Sequence, residues 1–538
     1  MSDIDEFVIS GPKKAYTVTF DSLGKYLFGC LKKRNSDQVF GVDVSLNQTV
    51  TCGSLLEKSV KLSIALKKMS LTKKDVVALI CENTLNSFAC LLALTYIGVP
   101  ANLINFLYTF RELKHVFNIS KPKCVICPQS NLANVLSLKK ELKFIEYIIL
   151  LDKPEECVKD VEDVESLCRT ITINIEEFEP VDGTANDTIL MCLSSGTTGL
   201  PKCVELTNDN FIAIIDFLLD NRCSNNAFDD VTVSVLPLFH IYGVLIYLTA
   251  AVSSMKLVTM KSFKPQIFLK SIEKYKATKL YTVPPLLQFL TINETIKDFD
   301  LSSVKEILVG GAPVGNALYK EASKKLKPTL IRELYGATEL GGFCAMQYGF
   351  ETVKNSGPLV NNMLLKVIDP QTNKSLPAYE IGELCLKGRS RMKGYFNNPT
   401  ETNNSKDEKG FYRSGDLGYY DEVGNIYITG RFKELIKFKA FQVSPVEVEN
   451  VILEHPAVKD CAVFGRSDNK TGELTTALIV IRDGFTATEE EMVTFVAERI
   501  SPQKQLHGGV RFVNTIPINP TGKILRRELP HLYISANQ

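Results

Sequence analysis

Leu193-Ser194-Ser195-Gly196-Thr197-Thr198-Gly199-Leu200-Pro201-Lys202 follows an apolar run, Thr188 to Leu193, that reads as a buried strand. Four hydroxyls and two glycines lie within six residues, and a lysine comes three residues later. Glycines let a backbone approach phosphate oxygens and turn N–H groups toward them. Ser194, Ser195, Thr197 and Thr198 can donate to the same oxygens, and Lys202 can add charge. A Walker loop requires Gly-x-x-x-x-Gly-Lys-Ser/Thr. Here a proline separates the last glycine, Gly199, from Lys202, so the loop is not of that kind. Taken alone, such a cluster is more often a flexible polar turn.

Strand and helix signals alternate on both sides of this loop. Ser54-x-x-Glu57 has the form of a capping box, with Leu56, Val60 and Ile64 at helical spacing. Asp75 to Cys81 is a β-branched strand, Asn86 to Tyr96 an apolar helix and Val99 to Ile104 a strand. Thr109-x-x-Glu112 caps a further helix, and Cys124 to Pro128 is again a strand. The acidic insertion Asp152 to Asp187 reads as surface loop. Ser234 to Pro237, Lys279 to Val283 and Glu306 to Val309 continue the strands. The last runs into Gly310-Gly311-Ala312-Pro313, small residues at a strand end. Alternating βα units imply parallel sheets covered on both faces, with ligands at the carboxyl ends of the strands.

From Gly382 the pattern changes. Glu383–Gly388, Gly418–Asp421 and Asn425–Thr429 are short strands with glycine-rich turns, like a small β-barrel subdomain. A compact α+β unit follows Gly430-Arg431-Phe432-Lys433. In it Ser444-Pro445-Val446-Glu447 has the form of a capping box with proline at the first helical position. Asp460–Gly465 and Thr475–Ile481 are strands, and Thr488-x-x-Glu491 opens a helix. The fold class expected is therefore α/β, with a large N-terminal domain of βα-layered sheets, a β-barrel subdomain and a small mobile α+β C-terminal domain. The boundaries expected are 1–430, a hinge at 431–433, and 434–538.

Composition narrows the function. At 538 residues the chain is long enough for two or more domains. Its 62 basic and 61 acidic residues argue against a general nucleic-acid surface. Fourteen cysteines are scattered without framework spacing. The one C-x-x-C, Cys124 to Cys127, lies in a strand, where a three-residue offset sends the side chains to opposite faces, so no zinc site is expected and reduced, intracellular thiols fit. Ser87–Val99 is too short to span a bilayer, and Pro237, His240 and Gly243 interrupt Val231–Val258. No signal peptide is read at the N-terminus.

Five ordered motifs carry a resemblance: the loop at Leu193–Lys202, Tyr335-Gly336-Ala337-Thr338-Glu339, Tyr412-Arg413-Ser414-Gly415-Asp416, Gly430-Arg431-Phe432-Lys433-Glu434-Leu435-Ile436-Lys437 and Pro520-Thr521-Gly522-Lys523-Ile524. In this order they resemble the signatures of the acyl-adenylate-forming superfamily. Acyl-CoA synthetases, 4-coumarate–CoA ligases and beetle luciferases are members. The resemblance runs from about Gly41 to Leu529. It implies ATP-dependent activation of a carboxylic acid to acyl-AMP with release of pyrophosphate, then transfer to CoA. ATP, Mg²⁺ and CoA are the implied cofactors, a small carboxylic acid the partner, and a cytosolic monomer the default state, because the chain ends in Ile534-Ser535-Ala536-Asn537-Gln538 and not in a Ser-Lys-Leu address.

The resemblance also implies roles. ATP would be held by Ser194, Ser195, Gly196, Thr197, Thr198, Gly199, Lys202, Gly311, Ala312, Pro313 and Gly336, with Tyr335 near adenine, Thr338 at the α-phosphate, Asp416 on the ribose hydroxyls and Arg431 on ribose or phosphate. Glu339 would hold Mg²⁺. Lys523, on the mobile domain, would meet the developing phosphoryl charge, and Lys433 would be the hinge. His240 would lie beside the substrate carboxylate. Tyr242, Gly310, Gly311, Ala312, Gly336, Gly341 and Phe343 would line the acyl pocket, with Phe343 narrowing its far end. Lys437, Lys439 and Ala440 would line the CoA channel.

Four departures qualify this reading. Cys203 and Ala440 stand where the family usually has glycine. Ile518-Asn519 replaces the common Lys-Thr or Lys-Ser. The helix after Thr207 lacks the arginine that beetle luciferases carry. A luciferase-like oxygenase, an adenylating enzyme with weak CoA transfer and a non-catalytic binding protein are the alternatives. The intact Thr338, Glu339, Asp416, Arg431 and Lys523 argue against the last.

Overall fold

The computed structural model describes residues 7–535 apart from 17, 155, 157, 195–200, 221–229, 329, 349–354, 440, 469 and 520–521. Seven residues assigned above to ATP or CoA contacts or to the nucleotide loop, Ser195, Gly196, Thr197, Thr198, Gly199, Leu200 and Ala440, lie outside the described residues.

Two eight-stranded sheets form the large domain. In one, Thr188–Ser194, Ala101–Asn105, Val77–Cys81, Cys124–Cys127 and Tyr147–Leu150 run parallel in that spatial order. Val77–Cys81 and Ala101–Asn105 are buried along their whole length, as strands covered on both faces must be. Lys202–Thr207 turns back antiparallel on Thr188–Ser194, which fixes both ends of the nucleotide loop at one sheet edge. In the other sheet Val39–Asp43, Lys256–Thr259, Val231–Ser234, Lys279–Thr282, Glu306–Val309 and Leu330–Ala337 are parallel neighbours. Cys124 packs in one hydrophobic cluster and Cys127 in another, on opposite faces of their strand. Every described cysteine is a free thiol.

A six-stranded antiparallel sheet follows, running Val8–Ser10, Leu364–Ile368, Gly382–Lys387, Tyr412–Tyr420 and Ile426–Arg431, with Ser375–Leu376 on the second of these. The small domain has its own five-stranded sheet, centred on Gly472–Ile481 paired with Val458–Asp468, and its own core.

Several local expectations are corrected. The helix expected at Ser54 begins earlier, at Cys52–Lys68, because Thr51 caps it and shares a reciprocal box with Ser54, leaving Glu57 to pair with Lys61. The strand expected at Ser234–Pro237 is Val231–Ser234. Ser444 does precede a helix with proline at its start, Pro445–Ile452, but its hydroxyl donates to Thr429 O at 2.5 Å and Glu447 pairs with Lys504, so no capping box forms. The insertion expected to be loop holds a short helix, Val164–Arg169. The boxes at Thr109–Glu112 and Thr488–Glu491 form as expected.

Candidate active site

The site residues gather where strands of the second sheet end. Leu330–Ala337 runs into a single 3₁₀ turn, Thr338–Leu340, which buries Thr338 and Glu339. Gly336 must be glycine, because a Cβ there would lie 1.7 Å from Gly342 O. Glu306–Val309 ends at Gly310, whose missing side chain leaves room for Tyr242: a Cβ would lie 3.2 Å from Tyr242 Cε1. Gly311 follows in the left-handed region, at φ 86°, and with Pro313 it is exposed at the mouth of the site, with Ala312 half-exposed between them.

Asp416 is the centre of the polar network. Tyr335 donates its hydroxyl to Asp416 Oδ2 at 2.9 Å, and Arg431 Nε donates to Oδ1 at 2.8 Å. Register sets this geometry, since Asp416 and Arg431 are direct partners in neighbouring antiparallel strands. The Asp416 carboxylate holds the Arg431 guanidinium above its ordinary pKa. Burial, then the same carboxylate, pushes the Tyr335 phenol well up. Each carboxylate oxygen retains a second lone pair, so Asp416 can still accept from two hydroxyls.

Glu339 accepts from the Tyr395 hydroxyl at 3.0 Å. Tyr395 stands in a two-residue strand at the edge of the first sheet. The ammonium of Lys202 lies 5.1 Å over its ring and pairs with Glu401. Ser194 Oγ is buried with no hydrogen-bond partner among the described residues, at the point where the chain enters the nucleotide loop. Cys203 points the other way, into a hydrophobic cluster, where burial pushes its thiol up to about 12.

Lys523 reaches this cluster from the small domain. Burial and the Arg431 charge lower its pKa, and Asp416, Glu339 and Glu434 oppose them. Its turn is closed by Asn519, whose Oδ1 accepts from Lys523 N at 2.9 Å. Gly522, at φ 80°, presses on the large domain: a Cβ there would lie 3.1 Å from Val283 Cγ2 and 3.2 Å from Pro285 Cδ. Three residues on, Arg526, partly buried, donates to Glu434 Oε2 at 2.7 Å and Glu449 Oε1 at 2.6 Å.

His240 caps the helix Ile241–Ser253 and its Nδ1 accepts from Tyr242 N at 3.2 Å. That bond assigns the ring proton to Nε2. Burial, then the Lys523 charge, pushes the imidazole down to about 3, so it is neutral. The Tyr242 ring meets Phe343 edge-on at 5.1 Å. Gly341, at φ 73°, lies under Ser390 O and Ile214, where no side chain fits.

Tyr335, Asp416, Arg431, Glu339, His240 and Lys523 thus lie together. Lys437 and Lys439 do not join them: both are exposed on the small domain, with backbone bonds to Glu473 and Thr471. Lys433, also exposed, lies in the 3₁₀ turn Phe432–Glu434. Sequence reasoning missed Tyr395, Glu401 and Arg526. Only Arg526 carried a local signal, a cation one helical turn beyond Lys523. No cluster of three or more metal-ligating side chains occurs among the described residues. A lone carboxylate still suits Mg²⁺, which keeps several waters and takes phosphate oxygens as ligands.

Comparison with known proteins gives the class. The AMP-binding enzyme family matches residues 31–396, and the AMP-binding enzyme C-terminal domain matches residues 447–523. The chain belongs to the AMP-binding, acyl-adenylate-forming enzymes. It is 33% identical to luciferin 4-monooxygenase of Photuris pensylvanica over 540 residues, covering 98% of each chain. It is also 33% identical to 4-coumarate–CoA ligase 1 of Petroselinum crispum over 500 residues, covering 91% of this chain and 90% of that one. The fold is shared with ATP-bound MatB from Rhodopseudomonas palustris at a TM-score of 0.84 and 24% identity, over 96% of this chain and all of that one. No helix among the described residues is long and apolar enough to cross a membrane.

Proposed function

We propose that the protein joins a carboxylic acid to CoA through an acyl-AMP intermediate. The observation that carries this is the meeting of Lys523, from the small domain, with Asp416 and Glu339, from the large one, and with Arg431 at the boundary between them. In the first step a carboxylate oxygen attacks the α-phosphorus of ATP and the bond to pyrophosphate breaks. Both reactants are anions, so the residues must supply positive charge and orientation. Lys523 and Arg431 provide the charge. Neutral His240 offers its Nε2–H to the carboxylate without adding a proton that would blunt the nucleophile. Asp416 accepts from the ribose hydroxyls, with Tyr335 fixing its orientation. Thr338 would meet the α-phosphate, and Glu339 would hold Mg²⁺. That ion supplies charge neutralisation on the phosphates.

In the second step the CoA thiol attacks the acyl carbonyl and AMP leaves. The exposed positions of Lys437 and Lys439 fit a small domain that turns at residues 431–433 before this step, withdrawing Lys523. The curated likeness to a luciferin 4-monooxygenase favours one second reading, in which the adenylate is oxygenated with emission of light. Pyrophosphate release from an acid panel, measured with and without CoA and with photon counting, separates the two. Thioester without light supports the ligase; light without thioester supports the oxygenase. Pyrophosphate release that CoA does not accelerate points to adenylation alone. Absence of acid-dependent pyrophosphate release rejects the proposal.

A further inference from the structure

Ser194 and Lys202 are direct partners in the antiparallel ladder that closes the nucleotide loop. Directly opposed residues of such a ladder project to one face. On that face the Ser194 hydroxyl is buried, with no hydrogen-bond partner among the described residues. An unpaired hydroxyl on the same face as an ammonium suits an anion such as phosphate. Lys202 itself is held in place. Its ammonium pairs with the Glu401 carboxylate and lies 5.1 Å over the Tyr395 ring, and the side chain is 13% exposed. Glu401 is the one acid paired with it among the described residues. The Tyr395 hydroxyl in turn donates to Glu339. One line of contacts therefore runs from Glu401 through Lys202 and Tyr395 to the carboxylate assigned to Mg²⁺.

Glu401 is firmly placed. It stands in the short helix Pro399–Asn404, with proline at the start, and its backbone N donates to Asn398 Oδ1 at 3.1 Å. One residue on, Thr402 Oγ1 accepts from Tyr395 N at 2.9 Å and donates to Asn398 O at 2.8 Å. A Cβ on Gly394 would lie 2.8 Å from Thr402 Cγ2, so glycine lets the helix close on the strand that carries Tyr395. That strand pairs with Val204 and Glu205, just beyond Lys202. Carboxylate, ring and ammonium thus share one frame. The hydrogen bond and charge of Lys202, then the charge of the hinge residue Lys433, hold the Glu401 carboxyl below its ordinary pKa, so it is an anion at neutral pH.

We propose that Glu401 is a positioning residue for the phosphates of ATP: it holds the Lys202 ammonium over Tyr395, on the Ser194 face of the ladder, and acts on the nucleotide only through Lys202. This rests on the acid-activating reading above. An ammonium has three N–H donors, so Lys202 can keep its bond to Glu401 and still donate to a phosphate oxygen. The gain is orientation. A free lysine gives up its rotamers when the nucleotide arrives, whereas one already paired has given them up beforehand. The signature belongs to the affinity for ATP and pyrophosphate, and not to the acid.

Two measurements test it, and they fail separately. The first follows pyrophosphate release with MgATP varied, in the parent, Glu401→Gln, Lys202→Met and the double variant. Glu401→Gln keeps the shape and removes the charge. It should raise KM for MgATP by about fivefold, the upper scale of a partly exposed ion pair, with kcat within about twofold of the parent and KM for the acid unchanged. The concentration of pyrophosphate that half-inhibits should rise in parallel. Adding Glu401→Gln to Lys202→Met should change neither constant further, because a residue that acts through another has no effect once the other is gone. A KM for MgATP within about twofold of the parent, the range of a pair that contributes nothing measurable, overturns the proposal. A lower KM, which makes Glu401 a competitor of the phosphates, overturns it too, as does a further loss in the double variant. The second measurement needs no turnover. Calorimetric titration of MgATP into the four proteins, with no acid present, should show Glu401→Gln weaker than the parent and the double variant equal to Lys202→Met. Equal affinity of Glu401→Gln and the parent overturns the proposal. If no acid releases pyrophosphate, the activating reading falls, while the titration still decides whether Glu401 serves Lys202.

Discussion

The Tyr395 hydroxyl donates to Glu339 across 3.0 Å, although 56 residues separate the two in sequence. The bond holds one oxygen of the carboxylate assigned to Mg²⁺, and the same phenol ring lies beneath Lys202. Tyr395 is a positioning residue, acting through Glu339. Tyr395→Phe keeps the ring and removes the donor. A hydrogen bond to a charged group contributes about 1.5–3 kcal/mol, so adenylation should fall by about ten- to a hundredfold and need more Mg²⁺ for half-maximal rate. An unchanged Mg²⁺ titration in the variant means that Glu339 does not depend on this bond.

Lys523 should act in the first half-reaction alone. Lys523→Ala is expected to slow adenylation by roughly 10²–10³-fold, the scale of one preorganised contact, and to affect thioester formation from supplied acyl-AMP much less. Equal losses in both halves reject the role. The ammonium is the active form, and burial beside Arg431 lowers its pKa below the ordinary 10.5. Adenylation should therefore decline as pH rises through that lowered value, so the alkaline limb comes earlier than for a free lysine. Lys523→Arg keeps its charge to far higher pH and should lose the limb. His240, at about 3, contributes no limb near neutrality. A limb that persists in Lys523→Arg belongs to another group.

Lys433 tests the turning of the small domain. It lies in the 3₁₀ turn that joins the two domains' strands. Proline there fixes φ, and a hinge must absorb a large change in that angle. Lys433→Pro should keep acyl-AMP formation within a few-fold of the parent and abolish thioester formation. Normal thioester turnover in the variant shows that no rotation about this residue is needed.

Asp460 bears on stability. Burial, then the nearby Glu449 charge, raises its carboxyl to about 6 from 3.8. The folded chain therefore binds more protons than the unfolded one between these values, and its stability falls as pH rises across that window. Asp460→Asn removes the titration. It should stabilise the small domain by about 1–3 kcal/mol above neutrality, the scale of a two-unit shift, and change little near pH 4. The check is urea unfolding at both pH values. An equal effect at the two means the carboxyl titrates normally.

Much of the fold was legible because its signals are local. The boxes at Thr109–Glu112 and Thr488–Glu491 need only three residues' separation, and the buried parallel strands appear as unbroken apolar runs. The errors arose where a distant group competed. Ser444 offers a cap, but Thr429 on the preceding strand takes its hydroxyl. Thr51 and Ser54 offer overlapping boxes, and the earlier one forms. Asp416 and Tyr335 were named because each stands in its own short motif, and the structure brings them together. Tyr395 and Glu401 were not, because each serves the site through a residue far away in sequence.

Arg526 ties Glu434, just beyond the hinge, to Glu449 on the first helix of the small domain, and sits three residues after Lys523. The pivot, the body and the tip of the domain are thus riveted at one guanidinium. On the proposed turn at residues 431–433, this network predicts that Lys523 leaves with the whole small domain and not by a local loop movement. Timing on that reading would be set by the whole domain, like a clock with a single hand.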